Sequence, residues 1–289
     1  MKLTVVTENS VLSDNLKAEH GMSMYIEKGE IKMFFDMGQF DAVKHNAKRL
    51  GIDFHDVNVI AFSHNHVDHC GGFLSVCDEI SSDCRIYAHT GFSTRKWWDH
   101  RFDIAHGDDA KPDIELVGPA MPYEFFFMNK KYGFRTIPDD VYEIGDGIYL
   151  VGNFPTYRGI EAITPASRME VNGSDENLVL DEFRDETVCV IKVKEGLVVL
   201  SGCAHNGIMN ILNTVKKHFP NDKIYAVYGG THMVPYNKNR TDVTIDYFNN
   251  SNICKVGPCH CTGPSIPEFS QFIRAFIKIG AGYTIEFED

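Results

Sequence analysis

The stretch His64-Asn65-His66-Val67-Asp68-His69 packs three imidazoles and one carboxylate into six residues, and Cys70-Gly71-Gly72 follows at once. The apolar run Val57 to Phe62 in front of it reads as a buried strand. Phe73 to Ile80 behind it reads as the start of a helix. The motif therefore falls on a strand-to-helix loop, where a rigid scaffold can present ligands. His64 and His66 are two apart, so in extended backbone they point the same way. Asp68 and His69 come where the chain turns into the helix and aim at a neighbouring point. That geometry suits two adjacent metal ions better than one, and such a density of N and O ligands is rare without a metal. The two glycines let the backbone turn tightly and pack close beneath the site.

Working outward, 289 residues suffice for a large core, with no linker or clear internal repeat. They are read as one domain, 1–289, with a pocket-covering insertion around 91–140. The chain has 28 basic and 40 acidic residues, a net charge of −12, which disfavours nonspecific binding to nucleic acid or an anionic membrane. No apolar run approaches membrane-spanning length. The expected partner is a small molecule, with neither nucleic acid nor membrane. Oligomeric state is not legible. Met1 to Thr7 reads as a strand, not as a secretory leader. Eight cysteines could form disulfides, but without an export signal, and with a large core, reduced thiols in a cytoplasmic protein are the expectation.

Met22 to Glu27 and Ile31 to Asp36 flank Lys28-Gly29-Glu30 as a hairpin, and Asp41 to Leu50 reads as a helix stopped by Gly51. Arg85 to Ala88 is a short strand. Residues 91–140, with Trp97, Trp98, Phe125-Phe126-Phe127 and Lys130-Lys131, read as a strand pair with long loops. Val141 to Val151 is strand-like, whereas 153–186 is polar and irregular. The second half repeats the logic of the first. Strands at Thr187 to Val193, Leu197 to Ser201, Lys223 to Tyr228 and 253 to 256 alternate with helices. Ile208, Ile211, Leu212 and Val215 form one apolar helix face, with Asn206 as its cap. A further helix is expected near 240–250, and another through Phe269, Ile273 and Phe276. His205, His232 and His260 each follow a strand. Layered sheets flanked by helices are the expected α/β (α+β) architecture.

These residues carry a resemblance. His64 to His69 is similar to the HxHxDH signature of the metallo-β-lactamase superfamily, and Asp36 in Phe34-Phe35-Asp36-Met37-Gly38 matches an aspartate that orients a ligand from behind. The resemblance implies a four-layer αββα sandwich with a two-metal site at one edge of the sheets. A narrower resemblance runs through Ser201 to Ile208, Gly229-Gly230-Thr231-His232 and Pro258-Cys259-His260-Cys261-Thr262-Gly263. Those segments look like the subgroup named for the archaeal 7,8-dihydropterin-6-yl-methyl-4-(β-D-ribofuranosyl)aminobenzene 5′-phosphate synthase of methanopterin biosynthesis. Three places depart from its pattern: Asn65, Thr231-His232-Met233, and the segment around Tyr157-Arg158.

The expected metal ligands are His64, His66, Asp68, His69, His205 and His260, holding two divalent ions, Zn or alternatively Mn or Fe. Cys203 stands where other superfamily members place a bridging aspartate; its thiolate could ligate, or it could be a small buried cysteine. His232 could ligate, support a ligand, or donate a proton to substrate. Cys259 and Cys261 are expected to brace a loop, and His89 to be structural or to line the pocket. Thr262-Gly263-Pro264 would open a helix whose free N–H groups could receive an anion, with Arg158 a second anion contact. The expected activity is hydrolysis of a phosphoester, other ester or lactone by a hydroxide shared between the ions, with Asp68 and His232 as catalytic residues. The alternative is a transferase joining a pterin-methyl diphosphate to an aminobenzene ribosyl phosphate. A flavo-diiron carrier would need a glutamate in the motif, and an RNA nuclease a basic surface.

Overall fold

The structure is a computed structural model that describes residues 1–102, 113–118, 132–156, 159–171 and 174–289. In the first half, strands β1 (Lys2–Thr7), β2 (Ser23–Lys28), β3 (Ile31–Phe35), β4 (Val59–Ala61) and β5 (Arg85–His89) are interleaved with helices α1 (Ala42–Leu50), α2 (Val67–Cys70) and α3 (Phe73–Val76). Next come β6 (Lys96–Asp99), β7 (Ile114–Gly118), β8 (Gly133–Ile137), β9 (Val141–Gly145), β10 (Ile148–Val151), β11 (Ser167–Val171) and β12 (Ser174–Leu180). The second half holds β13 (Val188–Val193), β14 (Gly196–Ser201), α4 (Ile208–His218), β15 (Ile224–Gly230), α5 (Lys238–Asn250), β16 (Lys255–Cys259), α6 (Ile266–Phe272) and β17 (Thr284–Glu286).

Among the described residues there are two large sheets, in the orders β17-β1-β2-β3-β4-β5-β8 and β16-β15-β14-β13-β10-β9. Their facing sides form one core. Leu3, Met24, Met33, Phe35 and Ala61 of the first meet Leu150, Cys189, Ile191, Leu200 and Tyr228 of the second. The alternate residues point outward, as the period of two requires. Phe34, Ile60 and Ile86 pack on Val43, Ala47 and Phe73 of the helical layer. Val188, Val190 and Val199 pack on Ile208, Ile211, Leu212, Val215 and Phe248. The result is helix, sheet, sheet, helix: the expected αββα sandwich. Both faces of β13 are buried, which is why its sequence runs apolar without alternation.

Most local expectations hold. The β2–β3 hairpin pairs Lys28 with Ile31, and α1 stops at Gly51, whose left-handed φ of 74° lets its N–H reach Ala47 O. Four details differ. The 153–186 segment is not irregular throughout: β11 and β12 join β6 and β7 in a third sheet, order β12-β11-β6-β7. β16 runs on to Cys259, with Pro258 inside it; an edge strand tolerates the missing N–H. The last helix ends at Phe272, and Phe276 instead bridges to Val256. Asn206 does not cap α4. Its amide serves Phe183 O and Glu186, while the Glu161 carboxylate accepts the Met209 and Asn210 N–H groups. No helix among the described residues is long and apolar enough to cross a membrane.

Candidate metal centre

Strands β3, β4, β5 and β8 run parallel, as do β14, β15 and β16, so their C-terminal ends gather at shared edges. Asp36 follows β3, His64 and His66 follow β4, His205 follows β14, His232 follows β15 and His260 follows β16. Side chains up to 224 positions apart in sequence, Asp36 to His260, therefore converge. Four residues at these strand ends have a left-handed backbone: Asp36 (φ 62°), Ala204 (61°), His232 (45°) and His260 (52°). Such conformations cost about 1–3 kcal/mol each and persist where the surroundings dictate them. Gly72 is needed for close approach: a Cβ there would lie 2.0 Å from Met37 O, immediately after Asp36.

Two sets of ligand atoms emerge, each within 4.8 Å: Asp68, His69, Cys203 and His260, and His64, Cys203 and His205. Every member is buried. His64 Nε2 lies 3.2 Å from His205 Nε2, His69 Nε2 lies 3.0 Å from Cys203 Sγ, and Asp68 Oδ2 lies 3.1 Å from His260 Nε2 and 3.5 Å from His69 Nε2. Ligands about 2.1 Å from one tetrahedral ion stand roughly 3.4 Å apart, so the spacing fits. The His260 Nε2 contact with Asp68 lacks hydrogen-bond alignment, leaving a buried nitrogen without a partner. An orphaned buried nitrogen among such donors is the mark of a missing cation. His66 sits at the rim, its ring 4.6 Å from His64 and 4.9 Å from His205, outside the tighter sets.

Electrostatics agree. Burial pushes His64, His66 and His205 well below the usual imidazole range, so they are neutral donors. Burial likewise opposes charge on His69, but the carboxylates of Asp68 and Asp36 outweigh it and raise the group to about 9. Cys203 is pushed well above its ordinary value, by burial first and the Cys261 thiol second; a thiolate there would require a bound cation.

The supporting groups fix the tautomers. Asp36 accepts the Ser63 N–H, the Ser63 hydroxyl and His69 Nδ1. Since Ser63 donates to Asp36, its oxygen accepts from His64 Nδ1 at 2.9 Å. Both imidazoles are thereby turned with Nε2 toward the site. Glu186 accepts the His205 and Asn206 N–H groups, and the Phe183 ring stacks on His205 at 3.8 Å. Lys96 of β6 pairs with Asp185 at 2.5 Å and Asp181 at 2.8 Å, and Asp185 accepts the Asn65 N–H. The third sheet thus braces the histidine loop, and a Cβ on Gly118 of β7 would lie 1.7 Å from Asn65 O. Ser63, Glu186, Lys96 and Asp185 went unassigned in the sequence reading. Serine beside the motif is a faint signal, and Lys96 has none. His20, exposed and also unforeseen, places Nε2 3.3 Å from Asp68 Oδ2.

His232 stands beside the centre, its ring 4.1 Å from His205. Burial first, then the Arg240 charge, pushes it down to about 3. It opens onto a cavity of about 230 Å³ that Arg240 also lines. Of the expected anion contacts, Thr262 is buried and its hydroxyl is engaged by the N–H and hydroxyl of Thr231. Gly263 (φ 48°) is exposed in the 3₁₀ turn before α6. Arg158, Phe125 to Phe127, Lys130 and Lys131 lie outside the described residues. His89 is held by Asn153 and the Gly91 N–H, and Cys261 donates to Cys203 O, both as braces.

No protein-family model matches the chain. Over 277 residues, 93% of the chain and 90% of the relative, it is 28% identical to the 7,8-dihydropterin-6-methyl-4-(β-D-ribofuranosyl)-aminobenzene-5′-phosphate synthase of Methanocaldococcus jannaschii. A crystal structure of a metal-dependent hydrolase of the β-lactamase superfamily matches with TM-score 0.80 and 27% identity, covering 100% of both chains. A diphosphatase of the PhnP family matches at TM-score 0.56 and 11% identity, over 99% and 98% of the chains, a likeness of fold alone.

Proposed function

We propose that this chain, which has the fold of the metallo-β-lactamase superfamily, is a binuclear metal-dependent hydrolase of a small anionic ester in the cytoplasm. The observation that carries this reading is the meeting of two buried ligand sets at Cys203. His64, His66 and His205 would hold one ion, and Asp68, His69 and His260 the other, with Cys203 between them. Zinc suits the mixed donor set, as do Mn and Fe. When bound, the ions supply Lewis acidity and lower the proton affinity of water. The chain's own residues do the rest. Asp36 and Ser63 hold two imidazoles in register. Asp68, kept ionised by His69, His20 and His260 despite burial, orients groups at the second position. His232, neutral in this setting, suits hydrogen-bond donation to a developing oxyanion better than delivery of a proton.

A transferase reading is favoured by the similarity to the synthase. In it the same centre would hold a diphosphate leaving group while a nucleophile attacks the carbon bearing it. Metal content of protein purified without added metal, with a parallel phosphodiester, phosphomonoester and lactone turnover screen, tests both. About two equivalents of metal with turnover, abolished in H66A/D68A, supports the hydrolase. Two equivalents without turnover, together with pterin-diphosphate binding, supports the transferase. Absence of metal in folded protein sinks both readings.

A further inference from the structure

Beside the candidate metal centre lies a cavity whose wall, among the described residues, carries one buried cation, Arg240. Arg240 is only 9% exposed, yet its Nε has no hydrogen-bond partner, and among the described residues the guanidinium makes no hydrogen bond or ion pair. Its backbone N–H caps onto Asn237, so the first turn of α5 fixes its position. The carboxylate nearest in effect is Glu161. That group is committed elsewhere, accepting the Met209 and Asn210 N–H groups at the start of α4. His205 and His232 line the same cavity, and neither supplies an anion to pair with Arg240. The remaining wall is mixed: Ile160, Ala162 and Pro165 are apolar, while Thr164, Ser167 and Asn237 are polar.

A guanidinium is a rigid fork of donors that matches the oxygens of a phosphate, and it is costly to bury unpaired. Burial of Arg240 strengthens its field. We propose that Arg240 is the recognition residue for a phosphate-type oxyanion on the substrate. The anion would sit in this cavity while the reacting group lies at the metal centre past His205 and His232. The proposal names the substrate class of the reading above and rests on it. It places anion recognition on α5, apart from the Thr262-Gly263 turn.

Calorimetric titration of the metal-loaded protein with inorganic phosphate and phenyl phosphate tests this, on wild type, R240M and R240K. R240M should weaken binding of both probes by roughly tenfold or more while metal content and thermal midpoint stay unchanged. R240K should recover part of the loss, because it restores charge without the fork. Binding by R240M within about twofold of wild type overturns the proposal, since the phosphate would then be held by the metals alone. Should R240M fail to fold, R240K carries the test, and undiminished binding by it overturns recognition by the fork. The same titration on chelator-treated protein separates the two ideas. Protein without metal would remove the hydrolase reading, whereas loss of phosphate binding in R240M would still uphold Arg240.

Discussion

Oδ2 of Asp36 lies 2.7 Å from Nδ1 of His69, and the same oxygen accepts the Ser63 hydroxyl at 2.7 Å. One buried carboxylate therefore sets the tautomer of one histidine in each candidate ligand set, His69 directly and His64 through Ser63. Loss of such a supporting partner typically costs 10–100-fold in metal affinity. S63A should weaken one half of the centre by about tenfold or more, and D36N should weaken both. Competition titration with a chromophoric chelator reads the two steps separately. Equal affinities for S63A and wild type would remove Ser63 from the relay.

The brace from the third sheet is energetic as well as geometric. Lys96 is buried between Asp181 and Asp185, and removing it leaves two buried carboxylates facing each other. K96M should destabilise the protein by about 3–5 kcal/mol. It should also loosen the Asn65 loop, because Asp185 holds that N–H. Urea unfolding gives the first quantity, and hydrogen exchange at residues 63–69 the second. A K96M protein of unchanged stability would contradict the buried-pair account.

Gly72 has no room for a side chain, with Met37 O 2.0 Å from its notional Cβ. G72A should cost about 1–3 kcal/mol by overpacking and displace Asp36 along with Met37. A fall in both thermal midpoint and metal affinity is the expected pair of results. Affinity unchanged at lowered stability would uncouple the loop from the centre.

Glu161 caps α4 from a buried position. Burial raises its pKa above the ordinary 4.5, and the Met209 and Asn210 amides only partly oppose this. An acid raised on folding binds more protons in the native state, so its contribution is fully present below pH 4.5 and is lost as pH climbs through the raised value. E161Q, which keeps an acceptor, should flatten that decline in stability between mildly acidic and neutral pH. Parallel unfolding series across that range decide it: matching slopes would exclude Glu161 as the titrating group.

Legibility varied with the range of the interactions. The histidine motif, the β2–β3 hairpin, the Gly51 stop and the apolar face of α4 are local patterns with fixed periods, so they read directly. The third sheet read only in part: its β6–β7 pair falls within the strand pair expected in 91–140, whereas β11 and β12 fall in a polar segment, and β11 runs from buried Ser167 to exposed Val171 with little period-two contrast. Asn206 was misread because a carboxylate from a distant turn, Glu161, took the cap. Local propensity cannot foresee a partner 48 positions away.

What the sequence determined by itself is the ligand chemistry: His64, Asp68 and His69 in one loop, further histidines after later strands, and the layered fold that spaced apolar runs require. Tertiary structure alone decided which of these atoms lie close enough together to share a cation. It placed Cys203 in both ligand sets, routed Asp36 to His69, and left Arg240 buried without a partner beside His232. The reason is physical. Ligand type is a property of a side chain, whereas ligand geometry depends on parallel strands whose ends meet only after the two sheets have packed.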